Sequence, residues 1–315
     1  MRLSLRHLCA AGLLAVAATA ASPALAAPRQ VVATFSVLGD MVKEIGGNDV
    51  HVITLVPPGG DAHVYQPKPG DAKNIARADL VVVNGLGMEG WIDRLISASG
   101  YKGRIATAST GVKPQTMSED DDDDHDSKAA AKDDGKPHIV TDPHAWQNVA
   151  NGAIYIRNIA TALNAIDPAH AADYEARTTA YLAGLKDLDA WVKTQIATVP
   201  EAKRRIITSH DAFGYFGSAY GISFLAPLGI STDADPSAAH VGQLIKQMRA
   251  EHIKALFIEN MTDPRLVQQL AREAHAAVGG TLYSDSLSKA GGPADTYVKM
   301  FRNNVPEMVA AMQKN

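Results

Sequence analysis

Short apolar runs alternate along this chain with longer stretches in which apolar residues recur at helical spacing. Residues 30–35, 50–56, 79–84 and 104–106 read as strands, with helical patterns at 37–45, 71–77 and 91–97 between them. The second half repeats the scheme, with strands at 205–208, 222–225, 255–258 and 281–283 and helices at 238–250, 265–277 and 293–312. Strands that alternate with helices form parallel sheets covered by those helices. The expected fold is therefore α/β, with two lobes, each a mostly parallel four-stranded sheet covered by helices.

One long helical stretch, 169–198, lies between the halves. Pro168 sits near its start and Pro200 follows its end, where proline fits a helix boundary. A helix of that length spans about 45 Å. No connection inside a lobe needs so much, so the stretch predicts one long rigid helix joining the lobes. A break into two shorter helices near Gly184 is the alternative.

The first residues do not belong to this pattern. Arg2 and Arg6 precede an apolar stretch at 8–21, and Ala24-Leu25-Ala26 supplies the small residues of a cleavage point. These are the parts of a secretory signal peptide, too short in its apolar run to span a membrane. The expected division is a signal peptide at 1–26, an N-terminal lobe at 27–167, a linking helix at 168–200 and a C-terminal lobe at 201–315. Cys9, the single cysteine, lies in the leader ahead of most of the apolar run, which makes it a poor lipid attachment point. The exported chain would then carry neither thiol nor disulfide, and any metal site must use His, Asp and Glu. Without Arg2 and Arg6, 28 basic residues face 34 acidic ones, a net charge of about −6 with no basic stripe for nucleic acid. The acidity is concentrated at 113–138, where Glu119 and the run Asp120 to Asp124 lie among few large apolar residues. Such a segment cannot offset the entropy of ordering, and a mobile acidic loop is expected.

Four residues with metal-ligating side chains share one position. His63 follows the strand ending at Val56, His144 follows the extended run 138–141, and His210 and Asp285 follow the strands before them. Ligands of open α/β sheets gather beyond the carboxyl ends of strands, so these four could converge on one cleft. Three imidazoles and one carboxylate suit zinc. Singly, each His also reads as a surface or hydrogen-bonded residue, and Asp285 as a turn former. His170, His252 and His275 sit in helical patterns with charged neighbours, His240 in the first turn of a helix and His51 facing out of a strand. Glu259 reads as a hydrogen-bond acceptor behind a ligand.

The words around the four narrow the reading. Gly60-Asp61-Ala62-His63-Val64-Tyr65-Gln66-Pro67, Asp142-Pro143-His144-Ala145-Trp146, Thr208-Ser209-His210-Asp211-Ala212-Phe213-Gly214 and Ser284-Asp285-Ser286-Leu287-Ser288 occur in that order. Together they resemble the ligand motifs of the metal-binding solute-binding proteins of ABC importers, the zinc and manganese receptors of cluster A-I. Ala62 stands where that family often has proline, and Val64 and Gln66 where it often has acids. The resemblance implies a zinc-type receptor in the periplasm, a monomer, with the metal held as cargo between two lobes and delivered to a membrane permease. A periplasmic metal donor protein is a further partner compatible with it. His210 at the third ligand position points to Zn2+, where glutamate would point to manganese. Of the four ligands, Asp285 is expected to be the mildest loss on replacement by alanine.

A secreted zinc hydrolase is the rival from another class. It would need water at the fourth position, which Asp285 fills, and a general base. Asp211 is the one acid adjoining a ligand, and it reads as the cap of a helix starting there. The acidic loop has two readings: a solvating insertion, or a negative field that concentrates cations near the site. Deleting residues 118–136 separates them in stopped-flow loading at low salt. The capture reading expects slower zinc uptake at unchanged equilibrium affinity, and unchanged rates leave the solvating reading.

Overall fold

The computed structural model describes residues 27–119 and 138–315, so the expected signal peptide and most of the expected acidic loop lie outside the described residues. In the first lobe β1 (Arg29–Phe35), α1 (Ser36–Gly46), β2 (Val50–Val56), α2 (Pro69–Arg77), β3 (Leu80–Val83), α3 (Ile92–Ser99) and β4 (Arg104–Thr107) alternate as expected. Their strands form a parallel sheet in the order β2-β1-β3-β4. Val31, Val32 and Ala33 of the inner strand β1 are all fully buried, the continuous apolar run of a strand covered on both faces. Next come β5 (Thr116–Glu119) and β6 (His138–Thr141), which pair as an antiparallel hairpin apart from that sheet.

Helix α4 (Val149–Ile166) follows, an element the sequence pattern did not separate. Its start is fixed by Asn148, whose side chain accepts from Ala150 N. Helix α5 (Ala171–Ala197) runs unbroken through Gly184, after a 3-10 turn at Pro168–His170. The chain then forms β7 (Arg205–Ile207), α6 (Gly214–Tyr220), β8 (Ser223–Leu225), α7 (Ala238–Ala250), β9 (Leu256–Glu259), α8 (Arg265–Glu273), β10 (Val278–Leu282) and α9 (Tyr297–Met312). The second sheet is parallel in the order β10-β9-β7-β8.

Three boundaries differ from the sequence reading by three residues or more. Strand β10 begins three residues early, at Val278, because Gly279 and Gly280 conceal it; the register with β9 shifts between Val278 and Thr281. Helix α8 stops at Glu273, and α9 begins only at Tyr297, capped by Thr296, which accepts from Lys299 N. His252 and His275, expected inside helices, lie just past the ends of α7 and α8 with φ of 54° and 53°.

The long helix is tied to both halves. Arg177 donates to the carbonyls of Ile45 and Gly46 and pairs with Asp49, satisfying acceptors at the end of α1. Leu185, Leu188, Val192 and Ile196 are buried in an apolar core that also takes in β1, α4 and α9. A second core lies under α7 and α8 around Ile207, Leu244, Met248 and Val267. The lobes thus share one core on the side of α5, and their contact there is a packed interior.

Gly152 of α4 marks that contact. A methyl group there would overlap Tyr297 Oη, which is fully buried and donates to Trp146 O at 2.5 Å. Alanine normally favours a helix by about 1 kcal/mol over glycine. Here Gly152→Ala is expected to destabilise the metal-free protein by about 1–3 kcal/mol through overpacking, measured by urea unfolding.

Candidate metal centre

The carboxyl ends of both sheets meet across the lobes, and the four expected residues lie at that junction. Strand β2 leads to His63, β7 to His210 and β10 to Asp285, while His144 follows β6 of the hairpin and not a strand of a main sheet. One donor atom from each of the four lies within 4.8 Å of every other. His63 Nε2 is 3.2 Å from His144 Nε2 and 3.2 Å from Asp285 Oδ2, which is itself 3.0 Å from His210 Nε2 and 3.6 Å from His144 Nε2. Donors about 2.1 Å from the centre of a tetrahedron stand about 3.4 Å apart. These four distances, 3.0–3.6 Å, are close to that edge.

Two of the imidazoles are aimed from behind. Asp142 Oδ1 accepts from His144 N at 2.9 Å and from His144 Nδ1 at 2.8 Å, which leaves Nε2 as the inward donor atom. Glu259 takes the corresponding place behind His210. Its Oε1 accepts from Ser209 N and His210 N, and its Oε2 lies 2.9 Å from His210 Nδ1, off the line of a good hydrogen bond. His63 is held differently, by its main chain. Asp61 Oδ1 accepts from His63 N at 2.9 Å, and Trp91 Nε1 donates to the preceding carbonyl, Ala62 O, at 2.8 Å.

Hydrogen bonds across the lobes fix the segment of the remaining candidate, Asp285. Trp146 Nε1 and Gln147 Nε2 both donate to Ser284 O, one residue before Asp285. Gly59 N donates to Ser286 Oγ, and Leu287 N donates to Ser36 Oγ. Asn84 steadies the loop of His144 by donating to Pro143 O while accepting from Tyr155 Oη. The sequence reading assigned no role to Asp142, Trp146, Gln147 or Asn84. Only Asp142 carried a usable signal, its place two residues before a candidate ligand histidine.

Of the other candidates, His51 is exposed, His240 Nε2 donates to Ala226 O, and His170 pairs with Asp167. Asp211 does not cap a helix. Helix α6 starts at Gly214, with Phe213 in the capping position and no side-chain cap.

The family described as the periplasmic component A of the zinc-uptake complex matches residues 31–311. The chain belongs to this zinc-uptake component A family. It is a metal-binding component of an ABC importer, not an enzyme. It is 30% identical over 309 residues to the manganese ABC transporter substrate-binding lipoprotein PsaA of Streptococcus pneumoniae, covering 96% of this chain and 95% of that one. Its fold is similar to the periplasmic zinc-binding protein TroA of Treponema pallidum, with TM-score 0.80, 29% identity and coverage of 90% and 99%. It is also similar to the manganese-bound periplasmic metal-binding protein of Candidatus Liberibacter asiaticus, with TM-score 0.74, 33% identity and the same coverage.

In this zinc-uptake family member, the centre is nearly dry. His144 and His210 are 0% exposed, Asp285 1%, and only the His63 side chain, at 5%, reaches the cleft. Burial alone would push His144 down, but the Asp285 and Asp142 carboxylates reverse this and raise it to about 9. His210 is likewise raised, against burial, by Glu259 and Asp285. Burial also opposes ionisation of Asp285, yet His144 and His210 hold it well below the usual carboxylate range. Without a cation, protons on imidazoles balance the carboxylates.

That balance sets two signs. If His144 is a ligand, a dication has to displace its proton, and affinity then rises with pH up to about 9, by about tenfold per unit for each proton released. The same raised value stabilises the metal-free fold fully below the unfolded value of 6.5, and that contribution is lost as pH rises through about 9. Calorimetry of zinc binding at pH 7.5 in buffers of different ionisation enthalpy should count at least one proton released per ion. A count of zero would contradict the assignment.

Proposed function

We propose that this chain is a high-affinity periplasmic zinc receptor, in which His63, His144 and His210 bind one Zn2+ through Nε2 and Asp285 binds it through Oδ2, for delivery to the permease of an ABC importer. The observation that carries the reading is the convergence of three imidazole nitrogens and one carboxylate oxygen within 4.8 Å of one another at a buried junction between lobes. Imidazole donors favour zinc over manganese in intrinsic affinity, and a four-donor cage suits a d10 ion with no need of further ligands. The zinc protein TroA and the family description point the same way.

One feature favours a manganese receptor instead. Asp285 Oδ1 is buried without a hydrogen-bond partner among the described residues, so it is free to make the carboxylate bidentate and raise the coordination number. The manganese lipoprotein PsaA and the manganese-bound protein of Candidatus Liberibacter asiaticus are precedents. Export by a cleaved signal peptide, a monomeric state and loading from a periplasmic donor belong to the same proposal. Among the described residues no helix is long and apolar enough to cross a membrane.

Competition decides between the metals. Zinc-loaded protein dialysed against a thousandfold excess of manganese should keep its zinc by elemental analysis, and full replacement would sink the zinc reading. Replacing ligands one at a time by alanine tests the site, and burial orders the losses. His144→Ala and His210→Ala should weaken zinc binding by more than about a hundredfold. His63→Ala should be the mildest, since water can reach that position from the cleft, and this replaces the expectation that Asp285 would be. Asp285 touches all three imidazoles, so Asp285→Ala should rank with the buried histidines.

A further inference from the structure

His63 differs from the other three ligands in what holds it. Among the described residues no carboxylate engages its Nδ1, in contrast to His144 and His210. Its place depends on the main chain of the turn after β2, and so on Asp61, whose Oδ1 accepts from His63 N. The other oxygen of that carboxylate reaches across the cleft. Asp61 Oδ2 accepts from Thr232 Oγ1 at 2.6 Å, a bond between residues 171 positions apart, one in each lobe.

Thr232 belongs to the loop between β8 and α7, and its neighbours roof the site. Ile230, Ser231 and Asp233 line a cavity of about 630 Å³ with His63, Met88 and Thr141, the mouth through which the centre meets solvent. Thr232 and Asp61 line a different space, an open groove of about 1120 Å³ running between α7 and α8 toward Met261. The Thr232–Asp61 bond therefore lies between the mouth and the groove. While it is closed, Asp61 is fixed, His63 N is fixed, and the mouth has a wall on that side.

We propose that Thr232 is a positioning residue whose hydroxyl latches Asp61 across the lobes, and that this latch, acting through the His63 main chain, sets how long the metal stays bound. The other three ligands are buried, and two of them are held by carboxylates, so dissociation starts at His63. With the latch open, the turn bearing His63 loses its tie at Asp61 and keeps that of Gly59 N to Ser286 Oγ, so its His63 end is freer, the mouth and groove join, and water can take the vacated coordination position. A hydroxyl-to-carboxylate bond of this length is charge-assisted, and in a half-buried setting its loss is worth about tenfold in rate. Replacing Thr232 removes no charged group, so attraction of the incoming cation should not change.

The inference rests on the proposed metal site, and zinc is the probe for both. Wild type, Thr232→Val, Thr232→Ser and Thr232→Ala are loaded with one equivalent of zinc. Release to excess chelator and uptake of free zinc are then followed by stopped flow, with thermal melting of each metal-free protein. Thr232→Val and Thr232→Ala are expected to release zinc about tenfold faster, with uptake within about threefold of wild type and unchanged melting. Thr232→Ser, which keeps the hydroxyl, should release within about twofold of wild type. In an Asp61→Ala background, Thr232→Val should add nothing, because its partner is gone. Release from Thr232→Val at the wild-type rate would overturn the latch, as would Thr232→Ser as fast as Thr232→Val, or an undiminished Thr232→Val effect in the Asp61→Ala background. Failure of wild type to take up one equivalent of zinc would instead overturn the site reading beneath it.

Discussion

A carboxylate buried among three imidazoles is the constraint around which this protein is organised. An isolated anion in a dry interior is costly, and Asp285 is 1% exposed. It is tolerable because three ring nitrogens lie within 3.6 Å and at least two of those rings take up protons readily. The cage therefore always requires positive charge. The raised values of His144 and His210 favour protons as its source in the metal-free protein, and in the proposed loaded state a dication would supply it. The two carboxylates behind the rings, Asp142 and Glu259, strengthen that requirement and hold the rings in place, so the site is shaped before the cargo arrives.

The scaffold turns this electrostatic demand into geometry. Two parallel sheets face each other with their carboxyl ends together, and the loops leaving those ends supply the ligands, as open α/β sheets do. What keeps the two sets of loops in register is a core shared through α4, α5 and α9, with Arg177 anchoring α5 to the end of α1. Motion between the lobes about such a packed interface is restricted. Change at the site then falls to its loops, which have fewer buried contacts and more single hydrogen bonds than the elements they connect.

The asymmetry among the ligands follows from that division of labour. His144 and His210 are buried and braced by carboxylates of their own lobes, and Asp285 by the hold of Trp146 and Gln147 on Ser284 O across the lobes. His63 stands at the mouth on a turn held by main-chain bonds. A receptor must bind tightly and still surrender its cargo, and a cage with three fixed walls and one less constrained ligand meets both demands. The hairpin β5–β6 borders the same mouth through Val140 and Thr141, so the acidic segment it carries is inserted in an element that begins beside the way in.

Much of this was written in local pattern. The alternation of apolar runs with helical periods determined the α/β class and two sheets, since period alone distinguishes a strand from a helix. Four short motifs named the four side chains that the structure brings together, because metal chemistry restricts candidate ligands to a few side chains and the fold places them after strands. Other features were not legible. Helix α4 was concealed because Val149, Ile156, Ile159 and Leu163 are set among further apolar residues, and the few polar ones, such as Arg157 and Thr161, mark its exposed face only weakly. Gly279 and Gly280 hid the start of β10, since glycine carries no strand signal. The spacing of the donors, the double hold of Trp146 and Gln147 on Ser284 O, and the contact of Thr232 with Asp61 were decided only by tertiary structure. Those contacts join loops at least 75 residues apart, and no local period encodes which loop tips will meet when two lobes pack on a common core.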